Sequence, residues 1–420
     1  MLLDIYKETG VSLQRAFGVD YPSYFSHPLA EYDALVNHAA ILDLTHWRVF
    51  SVTGNDRAGF LDAMLTNDIA ALAVGARCHA LFTTVKGGII AELFVFARED
   101  DHLVIIPQGD AEETVTTLEK HIINTDVTIT DRSGELGILG VEGPKAEAVV
   151  KRLFRPGPFP KNRFDIVERE FETFTLSVIE NACTGGPGYH VVVPVREVAR
   201  IREYLVQAAR GSDGLPVGYI AWNIRRAENG IPWYGVDYSV DSFPPESRLD
   251  HAVSYRKGCF RGQETLGRLH HQGKVNWLLV GLTPLIHAGA AETERDIASA
   301  DVAGRLKTLT AEINELLSRA DENGLRERAT TDAVLFDLSA VYPAGSELFA
   351  AGDDAGAGAA ADKPQGRITS AVVSPRLEGC LLLGYVRREL VESNAAIELA
   401  REGRRENLSL IDLPLESPDG

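Results

Sequence analysis

Cysteine is scarce: four in 420 residues, Cys78, Cys183, Cys259 and Cys380, with no C-x-x-C pair among them. That spacing argues against a disulfide framework and offers no local metal-ligand pattern. No metal site is expected, and a reducing cytoplasm is the expected compartment. Positive charge is short as well, with 42 Lys plus Arg against 60 Asp plus Glu and a net charge of −18. Clustered Lys and Arg hold phosphate backbones and anionic membranes, so neither nucleic acid nor a membrane is an expected partner. A small basic pocket for an anionic ligand stays open. No apolar run approaches the roughly 18 residues of a membrane-spanning helix. The opening "MLLDIYKETG" puts Asp4, Lys7 and Glu8 where a signal peptide has its apolar core, so none is expected. What is present is 45% apolar and 24% charged, ordinary globular composition in a chain long enough for two or three cores.

The first two thirds carries a worn internal repeat. "RVFSVTGNDRAGFLDAML" (48–65) reads as strand, Gly turn and amphipathic helix, and "LGILGVEGPKAEAVVKRLF" (136–154) repeats that order with Gly143 matching Gly54. Each copy continues into a hairpin and a second helix: "GGIIAELFVFAREDDHLVIIP" then "GDAEETVTTLEKHI", and "FETFTLSVIENACTGGPGYHVVVP" then "VREVARIREYLVQAA". Strand–helix–strand–strand–helix, twice, predicts an α+β protein with two related lobes, about 48–125 and 136–210, inside a domain spanning 30–275. Short strand-like runs with Gly and Pro punctuation predict a compact β domain over 276–400. Two stretches interrupt it: a helical-pattern insertion at 287–331 and a low-complexity loop at 351–365 expected to be mobile. Residues 401–420 read as a tail, its end "ESPDG" frayed.

Three segments hold chemistry-bearing residues. In "RKGCFRGQET" (256–265), Cys259 lies between glycines with Arg256, Lys257 and Arg261 close by. Nearby cations favour the reactive thiolate, yet the same pattern suits a small apolar filler in a tight turn; both readings stand. "RRAENGIPWYGVDYSVDSFPPE" gathers Arg226, Glu228, Trp233, Tyr234 and Asp237. Such a loop can stack a planar heterocycle and fork an arginine onto a carboxylate, or hide a buried ion pair. In "GRLHHQGKVNW", His270 and His271 read as strand residues on opposite faces, unable to chelate one ion together.

With these residues in view, the run R-x-E-N-G-I-P…G-V-D…P-x-E…K-G-C-F-x-G-Q-E…G-x-V-N closely resembles the YgfZ-type folate-binding proteins, relatives of the glycine cleavage T-protein (aminomethyltransferase). "LDLTHWRVFSVTGNDRAGFLDAMLTNDIAAL" is similar to the family's opening and "GRITSAVVSPRLEGCLLLGYVRREL" to its closing barrel. The resemblance implies two α+β lobes of the aminomethyltransferase folate-binding fold and a C-terminal β-barrel. It implies a tetrahydrofolate (or other reduced folate) ligand and a role as an accessory factor in iron–sulfur cluster assembly or repair. Iron–sulfur clients or assembly proteins would be its partners, and tRNA modification would benefit indirectly. It places the working thiol at Cys259 and folate contacts at Arg226, Glu228, Trp233, Tyr234, Asp237, Lys257, Gly258, Gln263, Glu264 and Glu92. The alternative it leaves is a tetrahydrofolate-dependent aminomethyl or methyl transferase of the T-protein type. Two departures bear on that choice. Ala91 and Glu92 stand where the T-protein motif G-G-x-x-D-D-L has two aspartates, and Gly186 stands where T-G-E-x-G-[FY] has its glutamate. An alanine can do no acid–base work, so the first departure weighs against transferase catalysis.

Overall fold

The computed structural model describes residues 2–160, 165–273, 275–284, 338, 342–350, 363–401 and 404–415. Three large sheets organise it, beside a two-stranded one, Ser12–Ala16 with Val19–Tyr24. In the first lobe a five-stranded antiparallel sheet runs Arg77–Thr83, Ile89–Ala97, His102–Gly109, Arg48–Thr53, Thr128–Asp131 in spatial order. The expected hairpin and helices are present, with helices Arg57–Met64 and Ala111–Lys120 covering one face through Phe60, Leu61, Met64 and Leu118. Asp110 caps the second of these, accepting from Glu113 N at 2.8 Å.

The second lobe is a six-stranded sheet in the order Ile166–Phe171, Phe174–Glu180, Gly188–Pro194, Leu136–Glu142, Ala40–Asp43, Leu215–Val217. Its last pair is parallel and the others antiparallel. Helices Ala146–Val150 and Val198–Arg210 bury Val149, Val150, Ile201 and Leu205 against it. Both lobes overrun the expected limits. The first reaches Asp131, and the second borrows strands from before and after 136–210 to finish its sheet.

A closed barrel follows, in the order Trp277–Pro284, Gly379–Arg387, Gly366–Ser374, Glu347–Ala350, Ile397–Arg401, Arg404–Ile411. Residues 404–411 are therefore no tail. They pair with Trp277–Pro284 on one side and Ile397–Arg401 on the other, removing the open edge. The insertion at 287–331, most of the loop at 351–365 and the end "ESPDG" lie outside the described residues. His270 and His271 end a helix, Gln263–Gln272, instead of sitting on a strand. Gly262 in a left-handed conformation starts that helix and Gly273, also left-handed, stops it. No helix among the described residues is long and apolar enough to cross a membrane.

Candidate functional site

Strand alternation builds the site. Along Ile89–Ala97, Ala91, Leu93 and Val95 pack into the first lobe's own core. Glu92 and Phe94, one residue out of phase, face the centre of the molecule and line a cavity of about 660 Å³. Its walls come from every side. The first lobe adds His79 and Gln108, and the second adds Asn181 and Cys183 from the loop before Gly188–Pro194. Helix Tyr219–Glu228 contributes Trp222, and the segment after it contributes Trp233, Arg248 and His251. Phe17 and Trp47 complete an aromatic lining in which Phe17 meets Trp233 at 4.9 Å and Trp222 at 5.1 Å between ring centroids.

Glu92 anchors a chain of polar contacts. Its Oε2 accepts from the Tyr238 hydroxyl at 2.9 Å, and its Oε1 lies 3.0 Å from His79 Nε2. His79 Nδ1 in turn lies 3.1 Å from His251 Nε2 at the exposed rim. Burial by itself pushes the Glu92 carboxyl up; the close approach of His79, helped by the Tyr238 hydrogen bond, outweighs it and holds the group below its ordinary value. A buried, ionised carboxylate thus faces a cavity of mixed aromatic and polar walls. The weight placed on Ala91 is corrected by this geometry. Its side chain points into the lobe core, and the acid of the pair that reaches the cavity position is Glu92. Gly186 leaves open space where a side chain would project.

Two donors on the wall have no acceptor among the described residues: Trp222 Nε1 and Asn181 Nδ2, both buried. Arg248 sits in a left-handed backbone conformation (φ 63°), donates to Leu413 O at 2.8 Å, and forms no ion pair among the described residues.

Of the residues expected on the ligand, Glu92 and Trp233 line this cavity. Arg226, Glu228, Asp237 and Lys257 are engaged inside the fold instead. Arg226, fully buried, pairs with Asp237, donates to Ser370 Oγ at 2.7 Å and stacks over Trp233 at 4.4 Å. Asp237 also accepts from Thr369 Oγ1 at 2.7 Å and Trp233 N at 2.9 Å. Glu228 accepts from Tyr32 (2.7 Å) and Ser374 (2.6 Å), tying the helix to the barrel. Lys257 donates to the carbonyls of Asp62, Leu65 (3.0 Å) and Asn67 (2.8 Å), which end helix Arg57–Met64. Burial lowers its pKa while Asp62, 3.1 Å away, supplies a counter-charge.

The rest of "RKGCFRGQE" is a strap on the first lobe. Arg261 Nε donates to Thr83 O at 2.8 Å, and Gln263 Oε1 accepts from Phe260 N at 3.4 Å. Gly262 passes so close that a Cβ would stand 2.6 Å from Thr83 Oγ1. Gly258 has open space around it, Glu264 is exposed, and Tyr234 binds Gln108 through its backbone N at 2.6 Å while its ring leans on Tyr238. Cys259 is exposed and does not line the cavity. Sequence reading missed His79, Trp222, Arg248 and His251. They are scattered over 172 positions and no local pattern joins them; the alternation of Ile89–Ala97 is the one signal that sets Phe94 on the same face as Glu92, a residue already expected on the ligand.

Comparison with known proteins agrees with this architecture. The description "GCVT N-terminal domain" matches residues 2–257. An aminomethyltransferase of Herpetosiphon aurantiacus is 30% identical over 286 residues, covering 66% of this chain and 76% of that protein. One from Bacillus subtilis is 28% identical over 284 residues, 67% of this chain and 78% of its own. The crystal structure of glycine cleavage system aminomethyltransferase T from Bartonella henselae superposes with a TM-score of 0.74 at 19% identity, covering 99% of this chain and 97% of that one. The described residues share that fold, and the sequence relationship runs along two thirds of the chain: this protein belongs to the GCVT family, as a relative of the glycine cleavage T-protein.

Proposed function

We propose that the chain binds a reduced folate, tetrahydrofolate, in the central cavity and moves a one-carbon unit between it and an amine donor. The observation that carries this reading is Glu92: an ionised carboxylate on the cavity wall, oriented by Tyr238 and His79. A volume of about 660 Å³ suits a ligand of this size. Phe17, Trp47 and Trp233 offer faces for a flat ring, and Trp222 Nε1 and Asn181 Nδ2 offer donors to its acceptors. Arg248, without an ion pair of its own among the described residues, suits a carboxylate at the far end of the ligand. The folate supplies the nitrogens that carry the one-carbon unit; Glu92 holds and returns the proton exchanged at them. His79 keeps Glu92 ionised.

The test is turnover of the purified chain with tetrahydrofolate and either an aminomethylated carrier protein or a small N-methyl amine. Glu92→Gln should keep folate binding, read by calorimetry, and lose about 100-fold or more in rate. Absence of folate product from the unaltered chain over prolonged incubation overturns the transferase reading.

A second reading, the YgfZ-type accessory role in iron–sulfur maintenance, draws support from the K-G-C-F-R-G-Q-E run and from its exposed thiol at Cys259, accessible to a partner. Cys259→Ala in a strain lacking the native protein is its test. Full recovery of iron–sulfur enzyme activity and oxidant resistance removes the thiol from any such role.

A further inference from the structure

The second lobe brings together a donor set that no local spacing announces. In the antiparallel pair Leu136–Glu142 and Gly188–Pro194, Gly188 lies opposite Glu142 and His190 opposite Gly140. Glu142 and His190 are therefore diagonal neighbours on one sheet face. The loop between Phe174–Glu180 and Gly188–Pro194 folds over that face and adds Cys183. Glu142 carboxylate, Cys183 Sγ and His190 imidazole offer ligand atoms all within 4.8 Å of one another. Sγ is 2.8 Å from Glu142 Oε1, and His190 Nε2 is 3.9 Å from that same oxygen.

Two features distinguish this cluster from a fortuitous meeting of polar side chains. The carboxylate is fixed at both oxygens: Oε2 accepts from Thr184 N at 3.1 Å and Thr184 Oγ1 at 2.5 Å, and Oε1 accepts from Cys183 N at 2.7 Å, which holds Oε1 between Cys183 and His190. Such outer contacts commonly fix the orientation of a metal-binding carboxylate. His190 is the second feature. It is 1% exposed, and neither ring nitrogen has a hydrogen-bond partner among the described residues. Packing of Trp47 edge-on at 5.0 Å accounts for its burial but bonds neither nitrogen. A gap of 3.9 Å to Oε1 is too long for a hydrogen bond and is close to what two ligands of one ion span.

We propose that Glu142, Cys183 and His190 form a three-ligand site for a divalent transition cation of the zinc class, its remaining position open to the central cavity. The thiolate and carboxylate together neutralise a dication, and the neutral imidazole completes a mixed S, N, O set that zinc-class ions accept. On binding, the Cys183 S–H bond breaks, its proton leaves to solvent, and the sulfur lone pair goes to the cation. The hydrogen bond from Sγ to Oε1 is replaced by two metal–ligand bonds. With bond lengths of roughly 2.0–2.3 Å, Sγ and Oε1 move apart and Nε2 and Oε1 draw together, each by well under about 1 Å. Because Cys183 also lines the cavity, the open position meets whatever ligand the cavity holds.

The site is tested without any catalytic assay, so its failure and the failure of the transferase reading are separate results. Full-length protein is treated with chelator, dialysed and titrated with Co²⁺, following absorbance and the protons released. One equivalent should bind with a thiolate-to-cobalt charge-transfer band that Zn²⁺ bleaches. Cys183→Ser should lose the band, His190→Asn should lose stoichiometric binding, and Cys259→Ser should retain both. Circular dichroism confirms that each variant is folded. The proposal is overturned if the folded wild-type chain binds neither Co²⁺ nor Zn²⁺ at micromolar concentration, or if the band survives Cys183→Ser. The wild-type titration alone decides the matter should a variant fail to fold.

Discussion

At Glu92, a residue 8% exposed, the penalty of burial is outweighed by His79 and Tyr238, and the carboxyl titrates below its ordinary value. The unfolded chain then binds the proton first on acidification. Stability from this group is complete above the ordinary carboxylate range and is lost as pH falls through the depressed folded value. His46 works in a different window. Both of its ring nitrogens are buried and without a hydrogen-bond partner among the described residues, Phe17 stacks on it at 4.7 Å, and burial pushes its pKa from 6.5 down to about 3. Between those values the unfolded chain carries the proton and the folded chain does not, so stability falls with pH by up to about 1.4 kcal/mol per unit. Replacing His46 with Phe, close in shape, should flatten the stability profile in that window, while Glu92→Gln flattens it only at more acid pH. Urea unfolding at intervals from pH 7 to pH 4 separates the two. Cys259 gives a simpler expectation. It is the exposed thiol, Cys380 is buried and Cys78 and Cys183 are partly covered, so maleimide should label Cys259 first. Cys259→Ser should change folding stability by no more than about 0.5 kcal/mol, as expected of a surface position.

The segment 226–237 shows at the level of the element why a ligand-like composition became scaffold. The helix Tyr219–Glu228 ends beside the barrel strand Gly366–Ser374, and Ser370, Thr369 and Ser374 offer hydroxyls to Arg226, Asp237 and Glu228. Once both members of the Arg226–Asp237 pair are buried, each needs the other. Asp237→Asn strands the guanidinium and should cost about 3–5 kcal/mol in denaturant unfolding, with any loss of folate affinity following unfolding. The strap 256–262 supplies a paired test of its glycines. Gly262 has φ 86° and Thr83 Oγ1 2.6 Å from a would-be Cβ, whereas Gly258 has nothing within 4 Å. Gly262→Ala should destabilise by more than about 1 kcal/mol, and Gly258→Ala should be close to neutral or slightly stabilising by thermal melt.

At the scale of the molecule, the cavity exists because two lobes, one helix and the loop after it converge, and the barrel locks the helix from behind through Glu228 and Arg226. Closure of the barrel depends on Arg404–Ile411, which bridges Trp277–Pro284 and Ile397–Arg401. Leu415 N also reaches Glu228 O at 2.8 Å, so the chain end returns to the helix that lines the cavity. Ending the chain after residue 403 opens two strand edges. The expected result is a broad, less cooperative thermal transition and weaker folate binding, read by circular dichroism and calorimetry.

The sequence by itself determined the two α+β lobes and the strand-rich C-terminal domain, because period-two and period-3.6 patterns and glycine turns are local properties of the chain. It also marked the loop 226–237 and the turn around Cys259 as special. What it could not assign was their use. Whether Arg226 meets a ligand or Asp237 depends on a barrel strand 144 positions away, and whether Lys257 meets a ligand or a helix end depends on Asp62, Leu65 and Asn67. Ala91 and Glu92 were told apart by the face each presents, set by the pairing of Ile89–Ala97 with its neighbours. Only the tertiary structure decided these, since burial and partnership are fixed by contacts between segments far apart in the chain.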